Sequence, residues 1–418
     1  MAKEQETENE SFGAAPHERP VPRISIHGFC EFPDTSEALS AASRDRRLSK
    51  AHVTVQLGGI TAAVEHYHGQ VTPNLLVVET RLNGKEALDE LDRLAEVCDP
   101  STKVVVVGRV NDVELYRELM KRGASEYLVG PLSTLHLIEV ISGLYTDPDA
   151  SPIGRVVAFI GARGGSGAST LAHNVGWCIA EHLRVNTTVI DFDVHFGTMS
   201  LDFNVESGQG VVDALSAPER LDDVLLDRLL IKHGERLSLF TAPASLEREI
   251  EASHDAYETV VDVVRATSPC VILDLPHGWS GWAKAALVAA DEIVIVGTPD
   301  LASLRNAKNL IDVVKQARPN DSAPRLVLNQ VGQPKRPEIP TKDFAETMGF
   351  EPAAVVPFDP ALFGAAANNG QMLLEVQSKA PAAEAVRRLA EVVTGRAVSV
   401  QPKQVTPIFT RLTGKKWA

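Results

Sequence analysis

The chain is short of cysteine, of long apolar runs and of positive charge. Its four cysteines, Cys30, Cys98, Cys178 and Cys270, stand far apart among 418 residues with no CxxC spacing. That leaves no pattern for a disulfide framework or a cysteine metal site, and it points to reduced thiols in the cytoplasm. Three of them lie in apolar or amphipathic surroundings, where a thiol acts as a small hydrophobe. No stretch approaches 18 uninterrupted apolar residues, so no transmembrane helix is expected. Met1 to Pro20 has no apolar core and no cleavage pattern, unlike a secretory signal. Glu4, Glu6, Glu8, Glu10 and Glu18, with Pro16 and Pro20, mark residues 1–22 as a disordered acidic tail. Asp and Glu number 55 against 41 Lys and Arg, a formal net charge of −14. Broad nucleic-acid binding is therefore disfavoured.

A fourth absence is a single lysine. Residues 155–170 read Arg-Val-Val-Ala-Phe-Ile-Gly-Ala-Arg-Gly-Gly-Ser-Gly-Ala-Ser-Thr. An apolar strand runs into a Gly-rich turn, and a helix is expected from Ser169. Backbone N–H groups and a helix N-terminus can then surround a triphosphate. Phosphate loops ordinarily end Gly-Lys-Ser or Gly-Lys-Thr, and here Ala168 stands at the lysine position. The chain reads as equipped to hold a nucleotide and poorly equipped to hydrolyse it.

What is present is two α/β units. Between 23 and 145, apolar runs at Ile24–Ile26, Val53–Leu57, Leu75–Val78, Val104–Val107 and Tyr127–Val129 alternate with amphipathic stretches such as Gly84–Val97 and Val113–Arg122. This alternation predicts a parallel, doubly wound (βα)5 sheet. Residues 146–152, polar and proline-containing, read as a linker. A second α/β domain spans 153–395, with strands at Arg155–Ile160, Thr188–Ile190, Leu237–Leu239, Cys270–Leu273, Glu292–Val296 and Arg325–Leu328, and a last helix at Ala380–Val393. Residues 396–418 form a basic tail. Val405, Ile408, Phe409 and Leu412 fall on one helical face there, flanked by Lys403, Arg411, Lys415 and Lys416. A weak peripheral contact with the inner membrane is one expectation for it, and packing on its own domain the other.

The first unit resembles the receiver domain of response regulators along its whole length. Glu79 ends the strand where the resemblance places a phosphoacceptor aspartate. Gly108 stands where a Ser or Thr would end the fourth strand, and Gly130 where a lysine would precede Pro131. The first strand runs into His27-Gly28-Phe29, with no acidic pair for Mg²⁺. Aspartyl phosphate chemistry needs all of these. The expectation is a binding or structural domain in which Glu79 has no lysine or hydroxyl partner.

Arg163-Gly-Gly-Ser-Gly-Ala-Ser-Thr170 resembles the deviant phosphate loop of the MinD/ParA ATPases. The resemblance implies ATP and Mg²⁺ as cofactors, with Gly164, Gly165, Ser166, Gly167, Ala168, Ser169 and Thr170 around the phosphates. It implies that Ser169 ligates Mg²⁺ and that Arg163 crosses to the other subunit of a homodimer. In Val-Ile-Asp-Phe-Asp, Asp191 and Asp193 end a strand where the family orients Mg²⁺ and the attacking water; Asp193 takes the catalytic role. In Val-Ile-Leu-Asp-Leu-Pro276, Asp274 reaches Mg²⁺ through water. A buried carboxylate with no cation would be costly, which favours this role for Asp274. Asn329 would face the adenine edge, and Pro357 would sit in the base-pocket loop. His195 is given no role.

The degenerate receiver, the lysine-less loop and the run Pro360-Ala-Leu-Phe-Gly-Ala-Ala-Ala-Asn-Asn-Gly-Gln-Met-Leu373 together resemble the CpaE/TadZ family of tight-adherence (Flp-type) pilus assembly, over about residues 23–395. The resemblance implies a cytoplasmic, often polar, dimeric localisation factor that engages a pilus secretion apparatus or polar factors, with weak or absent ATP hydrolysis. An active MinD/ParA-type ATPase of septum placement or partitioning is the alternative, and Ala168 and the acidic charge weigh against it.

Overall fold

The computed structural model describes residues 20–145, 153–206, 208, 210–243 and 252–396. The acidic tail before Pro20, the linker and residues 397–418 lie outside the described residues.

The first unit is a parallel sheet of β1 (Ser25–Cys30), β2 (His52–Leu57), β3 (Leu75–Glu79), β4 (Lys103–Gly108) and β5 (Glu126–Val129), in the order β2-β1-β3-β4-β5. Its strands read as near-continuous apolar runs because helices cover both faces. Ile26, Leu75, Val77 and Val105 pack with Leu39, Leu137 and Ile141 on one face. Phe29, Leu76, Val78 and Val106 pack with Ile60, Leu91 and Leu115 on the other. The period-2 alternation of side chains thus fills two separate cores from the same strands. Strand order reverses between β1 and β3, so Glu79 ends its strand at the crevice where such sheets place their chemistry.

The second unit is an eight-stranded sheet. Its strands are β6 (Arg155–Gly161), β7 (Thr187–Asp191), β8 (Ile231–His233), β9 (Leu237–Phe240), β10 (Cys270–Leu275), β11 (Glu292–Gly297), β12 (Arg325–Val331) and β13 (Ala354–Pro357), in the order β13-β12-β11-β6-β10-β7-β9-β8. All neighbours are parallel except β8, which pairs antiparallel with β9. The six strands expected from the sequence are all present. β8 and β13 are edge strands of three and four residues, too short to announce themselves by periodicity.

The helix Ala168–Glu181 starts one residue earlier than expected, after Gly167 in the left-handed region at φ 85°. It is buried on nearly every side because the helix Pro381–Val393 packs over the face that the sheet leaves open. Asn174, on this helix, accepts the Leu373 N–H at 2.8 Å and donates to the Thr170 carbonyl at 2.8 Å. The 360–373 run is therefore a lid on the back of the phosphate-loop helix.

The two units meet beside the N-terminal ends of β11 and β12, at the other end of the strands from the phosphate loop. Arg46, in the short turn before β2, reaches Asp291 at 3.2 Å and Asp321 at 2.9 Å. Arg265 holds the other oxygen of Asp291 at 3.2 Å, and Arg318 holds Asp321 at 2.8 Å. Asn320 donates to Asp45 at 3.0 Å, and Lys50 reaches Asp262 at 2.6 Å. Burial works against charge here, yet the arginines beside them hold Asp45 and Asp321 below the usual carboxylate range.

Candidate nucleotide site

The loop Arg163–Gly167 joins β6 to the helix Ala168–Glu181. Two of its glycines have left-handed backbones, Gly165 at φ 76° and Gly167 at φ 85°. Only glycine takes these angles without strain. A Cβ on Gly167 would also collide with the amide of Asn329. Gly164 and Gly165 are exposed, while Ser166 and Ala168 are buried.

Asn329 contacts the loop directly. It is buried at the end of β12, where its Nδ2 donates to the Ser166 carbonyl at 2.8 Å and its Oδ1 accepts the Gln330 N–H at 2.9 Å. Gln330 in turn donates to the Gly165 carbonyl at 3.0 Å. Asn329 thereby braces the loop at Ser166. Gln330 adopts φ 57°, an angle rare for residues with side chains, at a break in register between β12 and β13. Pro357 ends β13 opposite Val331.

Arg163 turns toward its own chain. Its Nε donates to Thr298 Oγ1 at 3.2 Å and lies 3.5 Å from Asp300, with the side chain 42% exposed. Asp300 resists burial through bonds from Thr298 and Ser303 together with the Arg163 charge, and its carboxyl is held below the ordinary value.

The carboxylates separate into two classes. Asp191 and Asp274 are adjacent in register at the ends of β7 and β10, and each is 1% exposed. Asp193 lies beyond, in a turn where its Oδ1 accepts the Phe196 N–H at 3.1 Å and its N–H donates to Asp191 at 3.0 Å. The structure brings Asp274 together with Asp191, and Asp193 stands outside that pair. Burial and then the Asp274 charge push Asp191 up to about 7, against the pull of His173 and of the Asp193 and Met199 N–H groups.

His173 was missed by sequence reasoning. It is fully buried one helical turn below Ser169, with Nδ1 2.7 Å from Asp202 and Nε2 3.4 Å from Asp274. Burial lowers its basicity, but Asp202 and Asp274 outweigh that and raise it to about 10. The spacing of four from Ser169 was the available signal, since residues i and i+4 share a helix face.

Both Asp274 oxygens lack a hydrogen bond among the described residues. A buried carboxylate without a hydrogen bond near a phosphate loop fits a Mg²⁺-nucleotide, with the Ser169 hydroxyl at the start of the helix as a further ligand.

The receiver-like crevice departs from expectation as well. Glu79 accepts the Glu31 and Phe32 N–H groups at 2.9 Å each, the Thr35 hydroxyl at 2.7 Å and Arg109 at 2.9 Å. It has a hydroxyl and a cation after all, supplied by residues outside the positions the resemblance pointed to. A Cβ on Gly130 would lie 3.0 Å from the Arg109 guanidinium, so Arg109 occupies the space beside the missing lysine. Gly108 has no side chain because Tyr127 fills its place.

These features define a P-loop nucleotide-binding fold of the MinD/ParA class. A family model described as an AAA domain matches residues 154–326. A MinD from Pyrococcus horikoshii complexed with Mg-ADP shares the fold at TM-score 0.52, with 21% identity over 58% of this chain and 96% of that one. An ATP-binding protein of Methanocaldococcus jannaschii is 25% identical over 60% of this chain and 92% of its own length. The pilus assembly protein CpaE of Caulobacter crescentus is 51% identical over 31% of this chain and 98% of that structure, at TM-score 0.30. On that sequence identity, the chain belongs to the CpaE family.

Proposed function

We propose that this protein is an ATP-binding, dimerising localisation or assembly factor for a pilus secretion apparatus, with hydrolysis weak or absent. The observation that carries the reading is the braced phosphate loop with Ala168 in the lysine place, set near the orphaned Asp274. Gly164 to Thr170 hold the phosphates through backbone N–H groups and the helix N-terminus, Ser169 holds Mg²⁺, and Asp274 reaches it through water. Mg²⁺ supplies charge neutralisation at the β- and γ-phosphates. Asp193, at the turn after β7, orients water. Without the lysine the transition state loses more than the ground state, so binding survives better than turnover.

A second copy is the favoured partner at this face. Phe196, Trp279 and Leu301 follow β7, β10 and β11 at the phosphate-loop rim and are 73%, 53% and 72% exposed. Exposed aromatic and aliphatic groups around a nucleotide mouth suit a nucleotide-sandwich dimer. Arg163 leaves Thr298 and Asp300 to reach the partner's phosphates; contacts of a half-exposed arginine cost little to break. The assembly role follows the Caulobacter relative, and it takes residues 23–145 as a protein-docking unit, 153–395 as the nucleotide-binding domain and the cytoplasm as the setting. Among the described residues no helix is long and apolar enough to cross a membrane.

Sedimentation with and without Mg-ATP tests this reading. The wild type is expected to dimerise with ATP, and Arg163→Ala to lose that response while its nucleotide-free state is unchanged. A monomer indifferent to ATP at every concentration would sink the dimer. Turnover at an ordinary enzyme's rate, on the order of 10 per second, would instead favour an active ATPase.

A further inference from the structure

We propose that His173, Asp191 and Asp274 form a binding site for one divalent transition-metal ion, buried near the phosphate loop and independent of nucleotide. One ligand atom from each residue lies within 4.8 Å of the others. The three side chains come from the helix Ala168–Glu181 and the ends of β7 and β10, and all are buried. His173 Nε2 and Asp274 Oδ2 face each other across this space at 3.4 Å, and neither Nε2 nor either Asp274 oxygen makes a hydrogen bond. An unpaired polar atom in the interior calls for an ion or water to complete it.

The surroundings of His173 are those of a metal-ligating imidazole. Its Nδ1 is tied to Asp202 at 2.7 Å, and Thr198 donates to the same carboxylate oxygen at 3.2 Å. A carboxylate on one ring nitrogen fixes the tautomer and aims the other at a metal. Asp191 is oriented by the Asp193 N–H at 3.0 Å and the Met199 N–H at 3.4 Å. Gly197 leaves its carboxylate room, since a Cβ there would collide with it.

Three carboxylates lie around the one imidazole, Asp202 on Nδ1 and Asp274 and Asp191 on the Nε2 side. A divalent ion on Nε2 takes the place of a ring proton there. Metal bonds of about 2.0–2.2 Å place ligand atoms roughly 3–4 Å apart, so the cluster closes by rotations that move atoms about 1 Å. One imidazole with two carboxylates suits Zn²⁺, Mn²⁺ or Co²⁺. Mg²⁺ prefers oxygen and its own waters, and belongs at Ser169, a turn nearer the loop. The inference shares Asp274 and Asp191 with the nucleotide reading, adds His173, and does not rest on nucleotide being bound.

The test uses full-length, chelator-treated protein with no nucleotide. Co²⁺ is titrated while its visible absorption is followed, and Zn²⁺ then displaces it. One ion per chain is expected, undisturbed by excess Mg²⁺. His173→Gln and Asp191→Asn should each weaken binding by roughly tenfold or more, with circular dichroism unchanged. X-ray absorption of the wild-type Zn²⁺ protein should show one imidazole with oxygen ligands, which covers variants that fail to fold. No stoichiometric ion, equal affinity in His173→Gln, or a spectrum without imidazole would each overturn the site. Because nucleotide is absent throughout, those failures leave the proposed function standing.

Discussion

Arg109 and Glu79 are joined at 2.9 Å across the crevice of the receiver-like unit, and the same guanidinium grips Asp34 at 2.7 Å. The Arg109 guanidinium also lies 4.1 Å from the centre of the Phe32 ring. The carboxylate thus already carries two backbone N–H groups, a hydroxyl and a cation.

Glu79→Ala is therefore expected to destabilise the first unit. It strands the buried Thr35 hydroxyl and leaves Arg109 with Asp34 alone. The loss should be about 2–4 kcal/mol, read as a lower urea midpoint at an unchanged slope. Acetyl phosphate should leave no adduct on the wild type by mass spectrometry.

Ala168→Lys restores the missing cation to the phosphates. A charge-assisted bond of that kind contributes roughly 1.5–3 kcal/mol, about ten- to a hundredfold in nucleotide affinity. Calorimetry checks the affinity and phosphate release checks the rate, which should rise by at least as much. No gain in either would mean that the buried position cannot extend a lysine to the nucleotide.

Gly167→Ala attacks the loop at its φ of 85° and at its contact with Asn329. Backbone strain costs about 1–2 kcal/mol, and the new methyl must also displace the Asn329 strut. Nucleotide binding should be lost while the first unit keeps its stability. Asn329→Ala should weaken nucleotide binding more mildly, by loosening the loop.

The clasp between the units should depend on acid. Asp45 and Asp321 have carboxyls held below the usual range by their arginine and asparagine partners. Groups depressed on folding stabilise fully above their unfolded value, near 3.9, and that stability is lost as pH falls through the lower folded value. Calorimetric scans from pH 7 down should show the two units beginning to melt separately below about pH 4. Arg46→Ala should produce the same separation at neutral pH, because it leaves Asp321 and Asp291 each short of a cation.

The β-runs and the glycine frame of the phosphate loop were legible in the sequence because contiguous residues encode them. A parallel strand buried on both faces must be apolar throughout, and a tight phosphate loop must be glycine wherever φ is positive. Adjacent residues therefore determined the two sheets, the loop at 163–170 and the acidic ends of β7 and β10. Only the tertiary structure decided which side chains meet. It put His173 rather than Asp193 beside Asp274, turned Asn329 onto the loop backbone and returned a cation to Glu79 from Arg109. It also bound Arg46 to Asp291, 245 positions away in the chain. Periodicity reports which face a residue lies on. The partner that satisfies a buried charge is set by how strands and helices stack, and that information is spread over the whole chain.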